Sequence, residues 1–369
     1  METVRYLGQE ENQRTRELYE IAFPEDSREF VDYYYTWKTK ENKILVMENE
    51  KGVIQVMMHL NPYQIHIHDC QQEIPYIVAV ATHPAYRRQG KMRKVMERAL
   101  QDMADKQIPF TFLLPADAAY YESQGFVFSP CQKTVEKPSN AEEWNWRSAK
   151  AEDISNMVEF SNKILAKHCH IYIQRDDFYY QRAMKETEVE NGGILLSEYR
   201  GKINGILVYG TEICEEEPAM EEGSLMAASK AEGRRCAEVK ELLLDSDAGR
   251  EEMESLCQKA LPDCEISLGD FQMMVRVTSL KSFVPTLRRE TPLAFQVKVK
   301  DDIIEENNGH YWIEIDKRGG RIEKVSTAFR QSGTGIFADS HEKIPLEMDI
   351  SKLSLKLLEE VRMNVREWV

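Results

Sequence analysis

The stretch that decides the fold of this chain is Tyr76-Ile-Val-Ala-Val-Ala-Thr-His-Pro-Ala-Tyr-Arg-Arg-Gln-Gly-Lys-Met-Arg93. Its apolar beginning predicts a buried β-strand over residues 76–82. A turn with two arginines and a glycine follows, and the spacing of apolar residues then predicts an amphipathic helix from about residue 89 to 106. The free N–H groups and positive dipole end of such a helix favour a pyrophosphate, whereas the alternative is an ordinary β-turn-α unit with a solvated turn.

The composition of the whole chain restricts its class. The 369 residues suffice for two or three domains, and 42% apolar with 30% charged residues is ordinary for a soluble protein. No apolar run approaches the roughly 18 residues of a membrane span, and no apolar signal region follows residues 1–5. A net charge of −15 disfavours nucleic acid and suits a cationic small molecule. Seven cysteines at irregular spacings predict reduced thiols in a cytoplasmic protein: Cys70, Cys131, Cys169, Cys214, Cys236, Cys257 and Cys264.

The elements predicted around the opening stretch form a first α/β domain. Two helices are expected before it, and two strands joined by a turn at Gly52 are expected to form a hairpin. After it we expect another strand and a short helix with Tyr120 and Tyr121, which Asp117 caps and Gly125 ends. The predicted ranges are 11–22 and 28–38 for the helices, and 43–47, 53–58 and 110–114 for the strands. The polar segment 137–143 places the end of this domain near residue 136.

The following residues repeat part of this plan. The segment 193–207 contains two strands and a turn, as residues 43–57 do, and a helix is predicted ahead of it over 153–167. These similarities indicate either a duplication or a chance likeness between two hairpins. The second copy has no Arg-Arg-x-Gly turn near residues 230–245, so a duplicate would have lost the cofactor site. From about residue 270 a third, α+β domain is predicted, with strands over 273–277, 294–300 and 310–315 and a helix over 352–360.

Two motifs carry a resemblance to a known family. Val78-Ala-Val-Ala-Thr-His-Pro-Ala-Tyr-Arg-Arg-Gln-Gly-Lys-Met92 resembles the acetyl-coenzyme A motif of GNAT N-acetyltransferases. Together with Thr111-Phe-Leu-Leu-Pro-Ala-Asp-Ala-Ala-Tyr-Tyr-Glu-Ser-Gln-Gly-Phe126, it is more closely similar to the Eis (enhanced intracellular survival) family. One departure is Met92, because Gly or Ala is usual there in GNAT proteins generally.

The resemblance implies an α/β and α+β multidomain fold with tandem GNAT domains, each a mixed sheet flanked by helices, and a sterol-carrier-like α+β domain. Residues 1–136 would be the active GNAT domain, 141–269 a degenerate GNAT domain and 270–369 the sterol-carrier-like domain. The layout alone supports the match beyond residue 140.

The resemblance also implies a set of residues that bind acetyl-coenzyme A. Backbone groups of the strand would hold the pantetheine arm, the turn and helix start would wrap the pyrophosphate, and the end of the next strand would lie near the pantetheine. In order, these residues are Val80, Ala81 and Thr82; Arg87, Arg88, Gln89, Gly90, Lys91, Met92 and Arg93; and Ala116 and Asp117.

Two residues are predicted to move protons. Direct attack of an amine on a thioester needs a polarised carbonyl, an acid for the departing sulfur and an acceptor for the amine proton. Tyr121 aligns with the family tyrosine that protonates the thiolate, although Tyr120 and Tyr121 could both be packing aromatics. The family also implies the terminal carboxylate, here that of Val369, as proton acceptor, whereas the ordinary reading is a solvated terminus.

Candidate substrate residues lie between the first two helices and on the second. Asp26 and Glu29 could attract a cationic amine, and Tyr34 and Trp37 could contact it through their aromatic faces. The alternatives are helix caps for the acidic residues and core packing for the tyrosines. The pairs His66/His68 and His168/His170 lack third and fourth ligands nearby, so no metal is expected.

We therefore predict a cytoplasmic acetyl-coenzyme A-dependent N-acetyltransferase that acts on a primary amine such as an aminoglycoside, a polyamine or a lysine side chain. The family implies a homo-oligomer, with a hexamer as its known assembly. No nucleic acid or membrane partner is expected. A different hypothesis is an apolar-ligand binding protein, of lipid or sterol type, in which the GNAT portion is a scaffold without catalytic activity.

Overall fold

The computed structural model describes residues 2–130, 144–214, 234–245, 250–268, 272–325 and 346–365. Among them, no helix is both long and apolar enough to cross a membrane. The elements up to residue 130 are β1 Thr3–Tyr6, α1 Arg16–Ala22, α2 Arg28–Trp37, β2 Lys43–Glu48, β3 Ile54–Ile67, β4 Cys70–Thr82, α3 Lys91–Asp105, β5 Phe110–Leu113, α4 Ala119–Glu122 and β6 Val127–Phe128.

Three predicted elements differ from the observed ones: the helix over 11–22 and the strands over 53–58 and 76–82, the last of which begins at Cys70 as β4. The helix predicted over 11–22 begins as a 3-10 segment, Gln9–Thr15, and becomes α1 only afterwards. The Thr15 hydroxyl donates to the Asn12 carbonyl at 2.8 Å, a local side-chain bond that competes with regular α-helix. The strand predicted over 53–58 continues to Ile67 as β3, because it pairs with β4 along nearly its whole length.

The later elements follow the predicted order. Up to residue 268 they are β7 Trp146–Ser148, α5 Ile154–His168, β8 Ile171–Ile173, α6 Asp177–Val189, β9 Gly193–Tyr199, β10 Lys202–Cys214, β11 Arg234–Leu244, α7 Arg250–Ala260 and β12 Cys264–Leu268. The remaining ones are β13 Met274–Val277, α8 Leu280–Phe283, β14 Leu293–Lys300, β15 Gly309–Asp316, β16 Gly319–Lys324, β17 Leu346–Asp349, α9 Ile350–Leu358 and β18 Met363–Asn364.

The first sheet is mixed and takes strands from all parts of the chain. Its order is β1-β2-β3-β4-β5-β13-β6, and β8 and β18 extend it beside the distal half of β3. The insertion of β13 between β5 and β6 brings residues from the far end of the sequence into this sheet, with Val275 opposite Phe112 on one side and Val127 on the other.

The second sheet has the strand order and directions of the first five strands of the first sheet. Its order is β12-β11-β10-β9-β7. Each neighbouring pair from β7 to β11 is antiparallel, and β11 pairs parallel with β12. In the first sheet, β1 to β4 pair antiparallel in turn, and β4 pairs parallel with β5. A third sheet, β16-β15-β14-β17, lies against α9.

Helices cover both faces of the first sheet. Val95 and Leu100 of α3 pack with Met58, whereas Met57 packs with Tyr34 of α2. Successive residues of a strand point to opposite faces, so Met57 and Met58 mark the two layers. The apolar residues of α3 therefore cover the Met58 face of the sheet. The N-terminus of α3 lies close to the end of β4 in sequence.

The cysteine prediction holds at four of the described positions. Cys70, Cys169, Cys257 and Cys264 are free thiols. Cys236 is disulfide-bonded, so the expectation of reduced thiols is wrong at this position. Irregular spacing along the chain did not reveal this bond, because a disulfide depends on spatial proximity.

Candidate active site

The central feature of the site is the point at which β4 separates from β5. The two parallel strands pair only at Tyr76–Phe112 and Ile77–Leu113, and β4 then continues to Thr82. Beyond Ile77, β4 has no strand partner on its β5 side among the described residues. Backbone N–H and C=O groups that point to that side can therefore bind an extended ligand.

The separated part of β4 also contains a β-bulge. The register between β3 and β4 shifts between Met57/His59 and Ala81/Val78, so two residues, Ala79 and Val80, lie opposite one. Ala79 has a positive φ of 47°, which is unusual for a residue with a Cβ. The bulge changes the direction of the backbone at Val80, one of the residues predicted to hold the pantetheine arm.

The start of α3 presents unpaired backbone N–H groups beside this strand end. Gly90 is the N-cap residue in a left-handed conformation (φ 70°, ψ 11°), and no side chain caps the helix. A Cβ at Gly90 would meet no atom within 4 Å, so the space above this turn is open. An uncapped helix start of this kind can bind phosphate oxygens.

The predicted pyrophosphate residues surround this turn, but their side chains differ in availability. Arg87, Arg88 and Gln89 are exposed, and the Arg87 Nε donates to the Thr82 carbonyl at 3.1 Å, which ties the turn to β4. Arg93 is paired with Glu97 at 2.7 Å. Lys91 is buried and forms an ion pair with Glu2. Arg87 and Arg88 are thus the cationic side chains best exposed at the turn.

Tyr121 lies in α4, after the end of β5. It is 8% exposed and packs in the same apolar cluster as Ile77 and Leu113, the last pair before the strands part. Its hydroxyl makes no hydrogen bond within the described part of the chain. Burial raises the pKa of Tyr121 to about 12, with smaller contributions from Tyr120 and Asp117. Its phenol therefore stays protonated at neutral pH.

The other predicted cofactor residues occupy the edges of the site. Ala116 and Asp117 are exposed in the segment between β5 and α4, and an Asp117 carboxylate oxygen accepts from the Ala119 N–H at 3.0 Å, as a cap does. Val80 and Thr82 are half-buried, and Ala81 is buried. Val369 lies outside the described residues, the last of which, Val365, is 2% exposed.

The four candidate substrate residues differ in exposure, and Glu29 is exposed. Asp26 is half-buried and accepts a hydrogen bond from the Tyr19 hydroxyl at 2.7 Å. Burial raises the pKa of Asp26, and the Tyr19 bond and Lys240 oppose this shift. Trp37 is half-buried with the Lys40 ammonium 4.5 Å from its ring centroid. Tyr34 has no exposed surface.

Sequence reasoning missed a buried polar group on β3. His59 is 0% exposed, and its Nδ1 lies 2.9 Å from the Tyr34 hydroxyl. Burial lowers the pKa of His59 to about 3, so the imidazole is neutral. Asn61, two residues on, is 1% exposed, and neither polar atom of its side chain has a hydrogen-bond partner. The only signal was the polar residues at alternating positions of an otherwise apolar strand.

A small cavity lies between the first and second sheets, lined by residues of β3, α6, β10 and β11 and by Lys38. It contains buried charges: the Lys38 Nζ is 3.1 Å from one Glu186 oxygen, and the Lys240 Nζ is 3.2 Å from the other. Burial disfavours the charged form of Glu186, but the two lysines outweigh this effect and lower its pKa. Burial raises the pKa of the neighbouring Glu190, although Lys240 opposes it.

Histidines from both pairs, His66/His68 and His168/His170, stack on other rings. His66 stacks on Tyr172 with ring centroids 5.0 Å apart, and His68 stacks on His170 at the same separation. Within the described ranges, no group of three or more His, Cys, Asp or Glu side chains is placed to hold a metal ion.

Comparisons with known proteins agree with this geometry. Residues 3–129 match the sequence model of a family described as "Acetyltransferase (GNAT) domain". No curated protein matches the chain.

Three solved structures share the fold over nearly the whole chain. They are a GCN5-related N-acetyltransferase from Anabaena variabilis (TM-score 0.68, 13% identity, covering 96% of this chain and 89% of that one), a conserved protein of unknown function and probable N-acyltransferase from Enterococcus faecalis (TM-score 0.66, 14% identity, 97% and 90%), and Eis1 from Mycobacterium abscessus (TM-score 0.63, 12% identity, 97% and 89%).

The family match confirms the resemblance of the first domain to GNAT acetyltransferases and supports an enzyme of this class. It does not favour a scaffold without catalytic activity. The solved structures, at these identities, show a common fold and leave the substrate open.

Proposed function

We propose that this chain, whose residues 3–129 form a GNAT acetyltransferase domain, transfers an acetyl group from acetyl-coenzyme A to a primary amine by direct attack in a ternary complex. The observation that carries the proposal is the separation of β4 from β5 after the pair Ile77–Leu113. Backbone groups of β4 at Val80 and Thr82 would bind the pantetheine arm in this opening.

The start of α3 supports the other end of the same ligand. The uncapped N–H groups after Gly90, together with the exposed Arg87 and Arg88, suit a pyrophosphate in charge and in donor chemistry. The open space at Gly90 supplies the room that phosphate oxygens need. The residues present therefore fit coenzyme A, from the turn to the bulge in β4.

In the reaction, the neutral amine attacks the thioester carbonyl, a C–N bond forms and the C–S bond breaks. The Val80 N–H would polarise the carbonyl oxygen. The Tyr121 phenol would give its proton to the departing thiolate, a role supported by its buried, protonated hydroxyl next to the strand opening. The terminal carboxylate of Val369 would accept the amine proton, directly or through a water.

The acceptor that we propose is a cationic amine of aminoglycoside, polyamine or lysine type. The half-buried carboxylate of Asp26 and the ring of Trp37 are candidate contacts for it. The net charge of −15 would attract such an amine before it loses its proton. Tyr34 is wholly buried, so it would support Asp26 and Trp37 by packing and would not contact the amine directly.

We also propose the Eis-like organisation of the chain, with an active GNAT domain over 1–136, a degenerate one over 141–269 and a sterol-carrier-like domain over 270–369. The repeated strand order supports the duplication, as does a second register shift, between Val208 and Tyr209 of β10, where β10 pairs with β11. The same proposal includes a cytoplasmic location and a homo-oligomer, a hexamer. Sedimentation measures the number of subunits.

Isothermal titration with acetyl-coenzyme A tests the proposal first. Micromolar binding that is lost with Arg87→Ala and Arg88→Ala supports the site, whereas no binding by the folded wild type excludes the enzyme. A thiol-release assay over a panel of amines then identifies the acceptor class, with Tyr121→Phe as the variant in which release should slow.

A further inference from the structure

A buried arginine from the last third of the sequence contacts the turn that follows Tyr121. Arg276 lies in β13 and is 0% exposed. Its Nε donates to the Gln124 carbonyl at 2.7 Å, and its Nη2 donates to both oxygens of Asp301 at 2.7 and 2.8 Å. Asp301 is also buried, so one guanidinium nitrogen is fixed between both oxygens of a buried carboxylate.

The turn is shaped to receive this side chain. Gly125 has a φ of 86°, and a Cβ there would lie 2.6 Å from the Arg276 Nε. The Tyr121 carbonyl accepts from the Gln124 N–H at 2.9 Å and from the Phe126 N–H at 3.4 Å. Gln124 therefore links the two residues: its carbonyl accepts from Arg276, and its N–H donates to the carbonyl of Tyr121, the predicted acid.

Asp301 is held from several directions. One of its oxygens accepts from the N–H groups of Ile303 and Ile304, each at 3.1 Å, and the other accepts from Asn307 Nδ2 at 3.0 Å. Ile304 packs in the apolar cluster that contains Tyr121. The carboxylate thus gives Arg276 a rigid anchor, and the same loop contributes to the packing around the tyrosine.

We propose that Arg276, anchored by Asp301, is a positioning residue that fixes the Tyr121 phenol at the opening between β4 and β5. The proposal rests on the proposed role of Tyr121 as the acid. A buried ion pair is a weak source of stability compared with apolar packing, because desolvating two charges offsets most of their attraction. The fixed guanidinium instead holds the path of the turn, because its Nε donates to the Gln124 carbonyl while Nη1 donates to the Val277 carbonyl and Nη2 to Asp301.

A double-mutant cycle tests the proposal. Arg276→Lys retains the positive charge for Asp301 and loses the fork geometry that also reaches the Gln124 carbonyl. Arg276→Lys, Tyr121→Phe and the double variant are compared by kcat and by the KM for acetyl-coenzyme A. Arg175→Lys is the matched control, because Arg175 is equally buried and pairs with Glu241 at 2.7 Å, outside the proposed catalytic residues.

We expect Arg276→Lys to lower kcat about 10- to 100-fold, the loss typical of a misplacement of about 1 Å, with little change in the KM for acetyl-coenzyme A. In the Tyr121→Phe background the same change should lower kcat less than about twofold, since residues that act as a unit are not additive. Arg175→Lys should leave kcat unchanged.

Equal losses in both backgrounds, or a folded Arg276→Lys with unchanged kcat, would overturn the positioning role. An unchanged kcat in Tyr121→Phe alone contradicts the acid role instead, so the two failures are distinguishable. Thermal unfolding reports whether each variant folds. If Arg276→Lys does not fold, Asp301→Asn, which keeps the shape of the anchor and removes its charge, is tested in the same cycle with the same criteria.

Discussion

The hydroxyl of Tyr34 lies 2.9 Å from Nδ1 of His59, and neither residue has exposed surface. Burial lowers the pKa of His59 to about 3, whereas an unfolded histidine titrates near 6.5. Below pH 6.5 the unfolded chain therefore binds the proton and the folded chain does not, so the free energy of unfolding falls as pH falls.

This contribution should lower the free energy of unfolding by roughly 1.4 kcal/mol at pH 5.5. Urea unfolding between pH 7.5 and 4.5 measures it, with His59→Gln as the variant that loses this part of the slope. Tyr34→Phe is the control, because it retains the imidazole and should retain the slope. Parallel pH dependences for wild type and His59→Gln would contradict the assignment.

Tyr121→Phe should lower kcat about 10²-fold or more, because the thiolate would leave without a positioned acid. Since burial raises the pKa of Tyr121 to about 12, the wild-type rate should show no alkaline decline from this group below about pH 11. Tyr120→Phe, at the 61% exposed neighbouring position, is the matched control and should leave kcat within twofold. Similar losses in both variants would argue against a specific acid.

Gly90→Ala should raise the KM for acetyl-coenzyme A about 5- to 10-fold. Alanine disfavours the positive φ of 70° at the helix N-cap, so the N–H groups that would face the pyrophosphate move. Gly201→Ala is the control: its φ is 74° and the space around it is equally open, but it lies in the β9–β10 turn. Both variants should lose about 1 kcal/mol of stability, and a KM increase in both would contradict the assignment.

Glu186→Gln should lower the free energy of unfolding by about 3–5 kcal/mol, because Lys38 and Lys240 would remain buried without their shared carboxylate. Denaturant unfolding measures this change. The comparison is Glu347→Gln, which removes an exposed pair with Lys298 at 2.8 Å and should change the free energy of unfolding little, because solvent screens exposed charges. Equal effects would show that the buried network contributes no more than a surface ion pair.

Deletion of Val369 should slow turnover most below the pKa of the acceptor amine, where the amine must lose a proton before attack, if the terminal carboxylate accepts that proton. Val369→Ala keeps a carboxylate at the same position and should retain the wild-type rate. Unchanged turnover of the deletion variant at every pH would remove the carboxylate from the mechanism.

The sequence predicted the strand, turn and helix of residues 76–105 because their signals are local. The apolar run before Arg87, the glycine at position 90 and the helical spacing after it lie within one continuous stretch. The extension of β3 was missed, since Pro62 and Pro75 interrupt the pattern of both strands, yet each lies opposite the other in the ladder. The bulge at Ala79 was also missed, because no residue there favours a positive φ.

The position of β13 could not be predicted from its own residues. Met273-Met-Val-Arg-Val277 indicates a buried strand but not its neighbours, and its partners are more than 140 residues earlier in the chain. The contact of Arg276 with the turn after Tyr121 depends on this pairing, so the sequence did not predict it. Local sequence patterns thus predicted the elements of the site but not the long-range strand pairing that brings β13 to it.

The insertion of β13 has a consequence for biosynthesis. At about 5–20 residues per second, a ribosome that has finished β6 needs roughly 7–30 s to produce residue 274. Until then the nascent chain carries β5 and β6 as open edges, which can pair with other chains. This part of the first sheet is therefore completed only after about three quarters of the polypeptide has been made, and a gene fragment that encodes the family-matched region alone should give an aggregation-prone product.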